Sequence, residues 1–262
     1  MLLQEVKINE ADLPSLRNSL RGWIAIFNLP TSEKPIVLEY DMDPNHSVIT
    51  HTCSTHLIPY PCQVPTSEKR ELAKAGVAIL INKSPAFHWC SDAHIYYDKY
   101  GRYVQTQIQT NNGTQYTICN IHCHNNPVNR GEQLHALHNT LTHSPNVILG
   151  GDFNSVINPL MDTSHPLADV NTGMANENAR AKEQELYAKA GLIDAFRQIH
   201  PDDKIFSRPH IPKIDSEGQW AQTARRLDRL YIHNNIEQQL VFAQYHDNWD
   251  LRSSQSQNPP YL

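Results

Sequence analysis

Apolar residues along this chain change their period several times, and each change marks an element. Leu13, Leu16 and Leu20 recur at three- and four-residue spacing, which predicts a short helix after Pro14. From Asn28 to Pro65 the pattern loosens into a proline-rich stretch, with Ile36-Val37-Leu38 as its clearest apolar run. That stretch predicts strands joined by long loops. Thr66 to Lys74 is charged and compatible with a helix. Gly76-Val77-Ala78-Ile79-Leu80-Ile81 is apolar almost throughout, as expected of a strand buried on both faces.

Two further strands follow, Tyr103 to Ile108 and Tyr116 to Ile121, and Asn111-Asn112-Gly113 between them predicts a hairpin. Leu134, Leu137 and Leu141 mark a helix, and Val147-Ile148-Leu149 a second buried strand. Asn176 to Ala190 is rich in Ala, Glu and Lys and stops at Gly191, a helix terminator. Leu227 to Ile232 reads as the last strand, and Arg252 to Pro260 is Ser-, Gln- and Pro-rich, as a disordered tail would be. Hairpin and crossover signals occur together and no segment repeats. The expectation is one α/β domain over residues 1–250, a layered sandwich with a mixed or largely antiparallel sheet, followed by a tail over 251–262.

Composition narrows the function classes. The formal net charge is −5, from 22 basic and 27 acidic side chains. Proteins that coat nucleic acid through phosphate contacts alone are usually basic, so that class is disfavoured. Five cysteines (Cys53, Cys62, Cys90, Cys119 and Cys123) are too few, and odd in number, for a disulfide framework. A reducing, intracellular compartment is the expectation, the nucleus included. The start, Met1-Leu2-Leu3-Gln4-Glu5, shows no secretory signal, and no apolar run approaches a membrane span.

The most informative stretch is Val147 to Asn154, where a buried strand runs into Gly150-Gly151-Asp152-Phe153-Asn154. The glycine pair predicts a tight turn. On extended backbone Asp152 and Asn154 share a face, with Phe153 on the other. A carboxylate beside an amide can activate a water and hold a phosphate oxygen. The plainer reading is that Asp152 caps the following turn. Asn120 and His122 likewise share one strand face. Cys119, His122, Cys123 and His124 lack the paired spacing of a closed zinc site. His135, His138 and His143 read as solvated residues of one helix.

Gly-Asp-Phe-Asn resembles a signature of the endonuclease/exonuclease/phosphatase superfamily, which includes the apurinic-site endonucleases. Leu2-Leu3-Gln4-Glu5 is similar to its early Leu-Gln-Glu motif, and Arg226-Leu227-Asp228-Arg229-Leu230 to its Arg-Ile-Asp-Arg-Ile strand. Asn129-Arg130-Gly131-Glu132 and Gly191 to Arg197, with His200-Pro201, resemble the endonuclease domains of non-LTR retrotransposons. The resemblance implies a four-layer α/β sandwich with two packed sheets flanked by helices. It implies hydrolysis of a phosphodiester, most simply in DNA, with Mg²⁺ or Mn²⁺. Glu5 takes the place of the metal-binding glutamate. Asp152 takes that of the residue that orients or deprotonates water, Asn154 that of the phosphate-contacting amide, and Asp228 that of the aspartate that orients a catalytic histidine. Asn120 and His122 fall where the family has Asn and Tyr, so both are expected near the substrate phosphate.

The pattern departs at both ends. The family places an asparagine-bearing strand before the glutamate motif and a Ser-Asp-His motif near its end. Here Glu5 is the fifth residue, and Tyr245-His246-Asp247-Asn248-Trp249-Asp250 offers His246 and Asp247 in the reverse order. The expectation is a sheet lacking its first strand, in a truncated or decayed copy. An inactive remnant of the domain, or a phosphatase of the superfamily acting on another phosphoester, is the alternative.

Overall fold

A computed structural model describes residues 1–30, 32–40, 48–61, 76–83, 86–90, 94–164, 174–207, 213–214, 220–221 and 224–244. The Thr66–Lys74 segment, the His246–Asp247 pair and the tail lie outside these residues.

Two sheets face each other. The first holds five strands: β1 (Leu2–Leu3), β2 (Trp23–Asn28), β3 (Ile36–Tyr40), β4 (Ile49–His51) and β6 (Val77–Asn82). Their order is β1-β6-β2-β3-β4 and all pairs are antiparallel. The second sheet contains β5 (Thr55–Leu57), β7 (Phe87–Trp89), β8 (Ile95–Tyr97), β9 (Tyr103–Thr110), β10 (Gln115–His122), β11 (Val147–Asp152), β12 (Leu192–Asp194) and β15 (Asp228–His233). Its order is β12-β15-β11-β10-β9-β8-β5, with β7 also on β9. β13 (Lys213–Ile214) and β14 (Trp220–Ala221) form a separate two-stranded antiparallel sheet.

The predicted hairpin is present: β9 and β10 pair antiparallel across Asn111-Asn112-Gly113, with Gly113 at φ 87°. β10 and β11 run parallel, which requires a crossover. Helix α1 (Pro127–Thr142) supplies it, capped by the Asn126 side chain with Pro127 in its first turn. Helix α2 (Pro159–Asp162) is one turn long, α3 (Met174–Lys189) ends before Gly191, and α4 (Ala195–Ile199) follows β12.

Residue alternation sorts the core into layers. Val77, Ile79 and Ile81 of β6 face Trp89, Ile95 and Val104 of the second sheet. Ala78 and Leu80 face outward, onto Leu13, Phe27, Leu29, Leu38 and Tyr40. That is why β6 is apolar on both faces. On the far side, Cys119, Ile121, Leu149 and Tyr231 pack under Leu134, Leu137 and Leu141 of α1 and Leu186 and Tyr187 of α3. The result is the four-layer α/β sandwich expected from the sequence. Over the first sheet, the predicted helix is a 3₁₀ segment, Glu10–Asn18, rather than an α-helix. Pro14 within it has no N–H to donate back along an α-helix.

The glycine pair corrects the expected turn. Both glycines are inside β11. A Cβ on Gly150 would lie 2.6 Å from Leu2 Cδ1, and one on Gly151 (φ 147°) would lie 1.8 Å from the Ile121 carbonyl oxygen. The glycines admit β1 and β10 at close range, and the chain turns later, at Asn154 (φ 48°). β1 pairs with β6 alone among the described residues. Among these residues no helix is long and apolar enough to cross a membrane.

Candidate active site

Strand register assembles the site. Asn120, Gly150 and Leu230 are aligned across β10, β11 and β15. Two residues further on, His122, Asp152 and Asp228 are aligned in the same way. Residues two apart share a face, and Gly150 lies against Leu2, so this row is on the face turned toward β1. Strands sit ~4.8 Å apart, so Asp152 neighbours both His122 and Asp228, whose backbones are about 10 Å from each other. The structure thus brings three of the predicted residues together with Asp152 in the middle. It does not set Asp228 beside His122.

Two hydrogen bonds hold Asp152. Its Oδ1 accepts the Asn154 N–H at 2.8 Å, which is the capping role of the plainer reading. Its carbonyl accepts the Cys123 N–H at 2.7 Å. Phe153 then plunges into the helix-side core, edge-on to Tyr187 and Tyr231. Asn154 is buried in the left-handed region, which asparagine tolerates better than most residues. Its Nδ2 donates to the Cys123 carbonyl at 2.7 Å, bracing β11's end against β10's.

Asn120 departs from expectation. It is fully buried, its Nδ2 donates to the carbonyls of Leu3 (2.8 Å) and Ala78 (2.9 Å), and its Oδ1 accepts from Gln4 Nε2 at 2.7 Å. A donor shared by two carbonyls inside the sandwich is not aimed at a phosphate. Asn120 instead ties the second sheet to β1, one residue short of Glu5. Glu5 itself is half exposed, sits at φ 52°, and pairs with Lys7 at 3.2 Å.

The two arginines of the Asp228 motif are anchored away from the row. Arg226 grips Asp194 through Nη2 (2.6 Å) and Nη1 (3.2 Å), and Asp162 through Nε (2.8 Å). Arg197 joins the same Asp162 at 2.8 Å, and the Phe196 ring lies against both guanidinium groups. Burial by itself raises the Asp162 pKa. The Arg226 charge and the hydrogen bonds from Arg197, Asn158 and Arg226 together outweigh it and hold the carboxyl below its usual range. Arg229 pairs with Glu183 at 3.2 Å, both fully buried, and donates to Ser155. The Ser207 hydroxyl accepts the N–H groups of Leu227 and Asp228. Together these contacts fix the strand that presents Asp228.

Several supporting residues escaped the sequence reading. Glu183 lies on the apolar face of α3, at helical spacing from Ala179, Leu186 and Tyr187, and that spacing was the available signal. Asp98, buried at the start of the β8–β9 turn, accepts the Tyr60 hydroxyl (2.7 Å) and the N–H groups of Arg102 and Tyr103. Burial raises its pKa against those bonds. Tyr60 also meets His124 at 3.0 Å. Burial, aided by the charges of Arg102, His122 and Arg130, lowers the His124 pKa to about 3, so this imidazole is neutral near pH 7.

Cys119 and Cys123 are buried in the helix-side core, on the opposite side from His122, which argues against a zinc site there. Among the described residues no group of three or more His, Cys, Asp or Glu is arranged to hold a metal ion. The donors in the row are the carboxylates of Asp152 and Asp228 beside the His122 imidazole; carboxylates are the hard oxygens that Mg²⁺ and Mn²⁺ prefer, and Mg²⁺ keeps most of its waters while using one or two of them. The donor chemistry therefore fits a hydrated divalent ion.

The sequence matches the endonuclease/exonuclease/phosphatase family over residues 1–247. No curated protein matches it. Among solved structures, an AP endonuclease from Archaeoglobus fulgidus is similar with a TM-score of 0.54 and 12% identity, covering 90% of this chain and 77% of that one. The AP endonuclease LMAP from Leishmania major is similar with a TM-score of 0.52 and 13% identity, covering 90% of this chain and 70% of that one. At these identities the likeness concerns the fold. The family groups phosphoester hydrolases that generally work with divalent metals. By the match over nearly its whole length, this chain belongs to the endonuclease/exonuclease/phosphatase family.

Proposed function

We propose that this chain is a Mg²⁺- or Mn²⁺-dependent phosphodiesterase acting on DNA, an endonuclease domain of the retrotransposon type. The observation that carries the reading is the row of His122, Asp152 and Asp228 on adjacent strands, with Glu5 next to the Gln4–Asn120 link. Asp152 orients the attacking water and takes its proton. Asp228 stands beside it in the same row. His122 donates to a phosphate oxygen from the other side. Asn154 directs one amide hydrogen to Cys123 and has a second for the phosphate. Glu5 would hold the ion, which supplies Lewis-acid stabilisation of the phosphoryl and leaving oxygens. The segments Asn129–Glu132 and Gly191–Arg197 support a nucleic-acid substrate over a lipid or nucleotide phosphoester.

The test is incubation of the purified protein with supercoiled plasmid and Mg²⁺, beside Asp152→Ala. Nicking by the parent and not by the variant is the expected result. No nicking at high protein concentration would overturn the catalytic reading and leave an inactive member of the family. Turnover of another phosphoester in a substrate panel, without nicking, would move the substrate away from DNA.

A further inference from the structure

Arg130 does not belong to the row, yet its bonds converge on the segments that leave it. Its side chain rises from the first turn of α1 and is 3% exposed. Nη1 donates to the carbonyls of His124 (3.3 Å), Asn125 (3.2 Å) and Asn154 (2.9 Å). Nη2 donates to Asn176 Oδ1 at 2.9 Å, on the first turn of α3. The His124 and Asn125 carbonyls lie on the segment leaving β10, just past His122. The Asn154 carbonyl lies on the segment leaving β11, just past Asp152. These acceptors are all neutral, so the guanidinium brings its charge to the back of both segments.

We propose that Arg130 is the positioning residue of this site: its planar fork fixes the segment after His122 against the segment after Asp152, and locks both to α1 and α3. This rests on the reading of the row as the active site. The Asn154–Cys123 and Cys123–Asp152 bonds link the same two segments, but both run between parts of the site itself. Arg130 adds a brace from outside, on a rigid helix. Lysine cannot replace it, because an ammonium is a single point donor and does not span divergent acceptors as a fork does. Preorganisation of this kind acts on the chemical step, where a misplacement of about 1 Å costs on the order of 10²-fold.

The experiment compares the parent with Arg130→Lys and Arg130→Met in two readouts. In plasmid nicking with Mg²⁺, both variants are expected to lose kcat by about 10²-fold with KM changed less than about threefold, because the lost interaction acts in the transition state. In hydrogen–deuterium exchange, peptides covering residues 121–126 and 150–157 are expected to exchange faster, and the later turns of α1 to remain protected. Parental kcat in Arg130→Lys overturns the proposal, as does unchanged exchange in either segment. Global unfolding of Arg130→Lys also overturns it, since the residue would then support the core rather than the loops. If Arg130→Met does not fold, Arg130→Lys decides alone. If the parent does not nick, the functional reading fails, and exchange still decides whether Arg130 braces the two segments.

Discussion

Two halves of the site are built differently. Asp152 stands on β11, paired on both sides by β10 and β15, and Phe153 behind it is fully buried. Glu5 follows a two-residue strand with one partner and sits half exposed in a left-handed conformation, facing Lys7. The first half is preorganised by ladder hydrogen bonds and core packing. The second is tied down by its short ladder to β6, by Asn120 and by the Val6 N–H on the Gly76 carbonyl. Under the proposed function this division would suit the task of each half. Abstraction of a proton in line with a phosphate requires a fixed base. A Mg²⁺ ion that retains several waters tolerates a carboxylate that adjusts.

The comparison breaks most visibly at Asp152. Asp152→Asn keeps an oxygen to accept the Asn154 N–H and removes only the carboxylate charge. Activity is expected to fall by about 10²–10⁴-fold, the usual worth of a general base, and unfolding stability to stay within about 1 kcal/mol. Steady-state nicking with urea denaturation checks both. A large loss of stability would mean that Asp152 serves the turn more than the chemistry.

On the side of the row that Asp228 occupies, stability is the more exposed quantity. Asp162→Ala strips the buried Arg226 and the partly exposed Arg197 of a shared partner, and breaking a buried ion pair costs about 3–5 kcal/mol. The Asp162 carboxyl is held below its usual range, so its contribution is present above the unfolded pKa of about 3.9 and is lost as pH falls through the folded value. Asp162→Ala is therefore expected to flatten the acid limb of the stability profile. Urea midpoints measured from pH 7 downward test this, and an unchanged acid limb would contradict it.

The joint between the halves should give an intermediate effect. Asn120→Ala leaves the Leu3 and Ala78 carbonyls without their shared donor inside the sandwich, a loss of about 1–3 kcal/mol. Loosening is expected on the β1 side, read as faster amide exchange in residues 2–6, with residues 150–154 unaffected. Equal loosening of both segments would show that the halves are one unit.

Much of the second sheet was legible because its long strands carry period-two apolar patterns between clear punctuation, as in β9, the Asn-Asn-Gly turn and β10. Helix α1 was visible in Leu134, Leu137 and Leu141, whose three- and four-residue spacing is that of one helix face. β7 and β8 are three residues each, too short for any period to register. The glycine pair was located but misread, because only the neighbours of Gly150 and Gly151 reveal that close packing demands them. Asn120 was placed on the correct face. Its role was missed because the partners, Leu3, Gln4 and Ala78, are distant in sequence and belong to the other sheet. Asp152 and Asp228 were found by motif, and register alone explains why they adjoin.

The smallest expected effect is at Glu5. An exposed pair such as Glu5–Lys7 contributes about 0–1 kcal/mol, so Glu5→Gln is expected to leave stability within about 0.5 kcal/mol. Its effect belongs on the metal requirement: the Mg²⁺ concentration for half-maximal nicking should rise while the pH dependence of nicking stays the same. Removing a carboxylate ligand weakens a hard cation more than it disturbs a base on another strand. The two readouts are separable because Gln4, beside Glu5, is bonded to Asn120 on β10, whereas Asp152 stands on β11. Should Glu5→Gln change the pH profile and leave the Mg²⁺ dependence alone, Glu5 would act on proton transfer, and the division of the site into a fixed half and an adjustable half would be wrong.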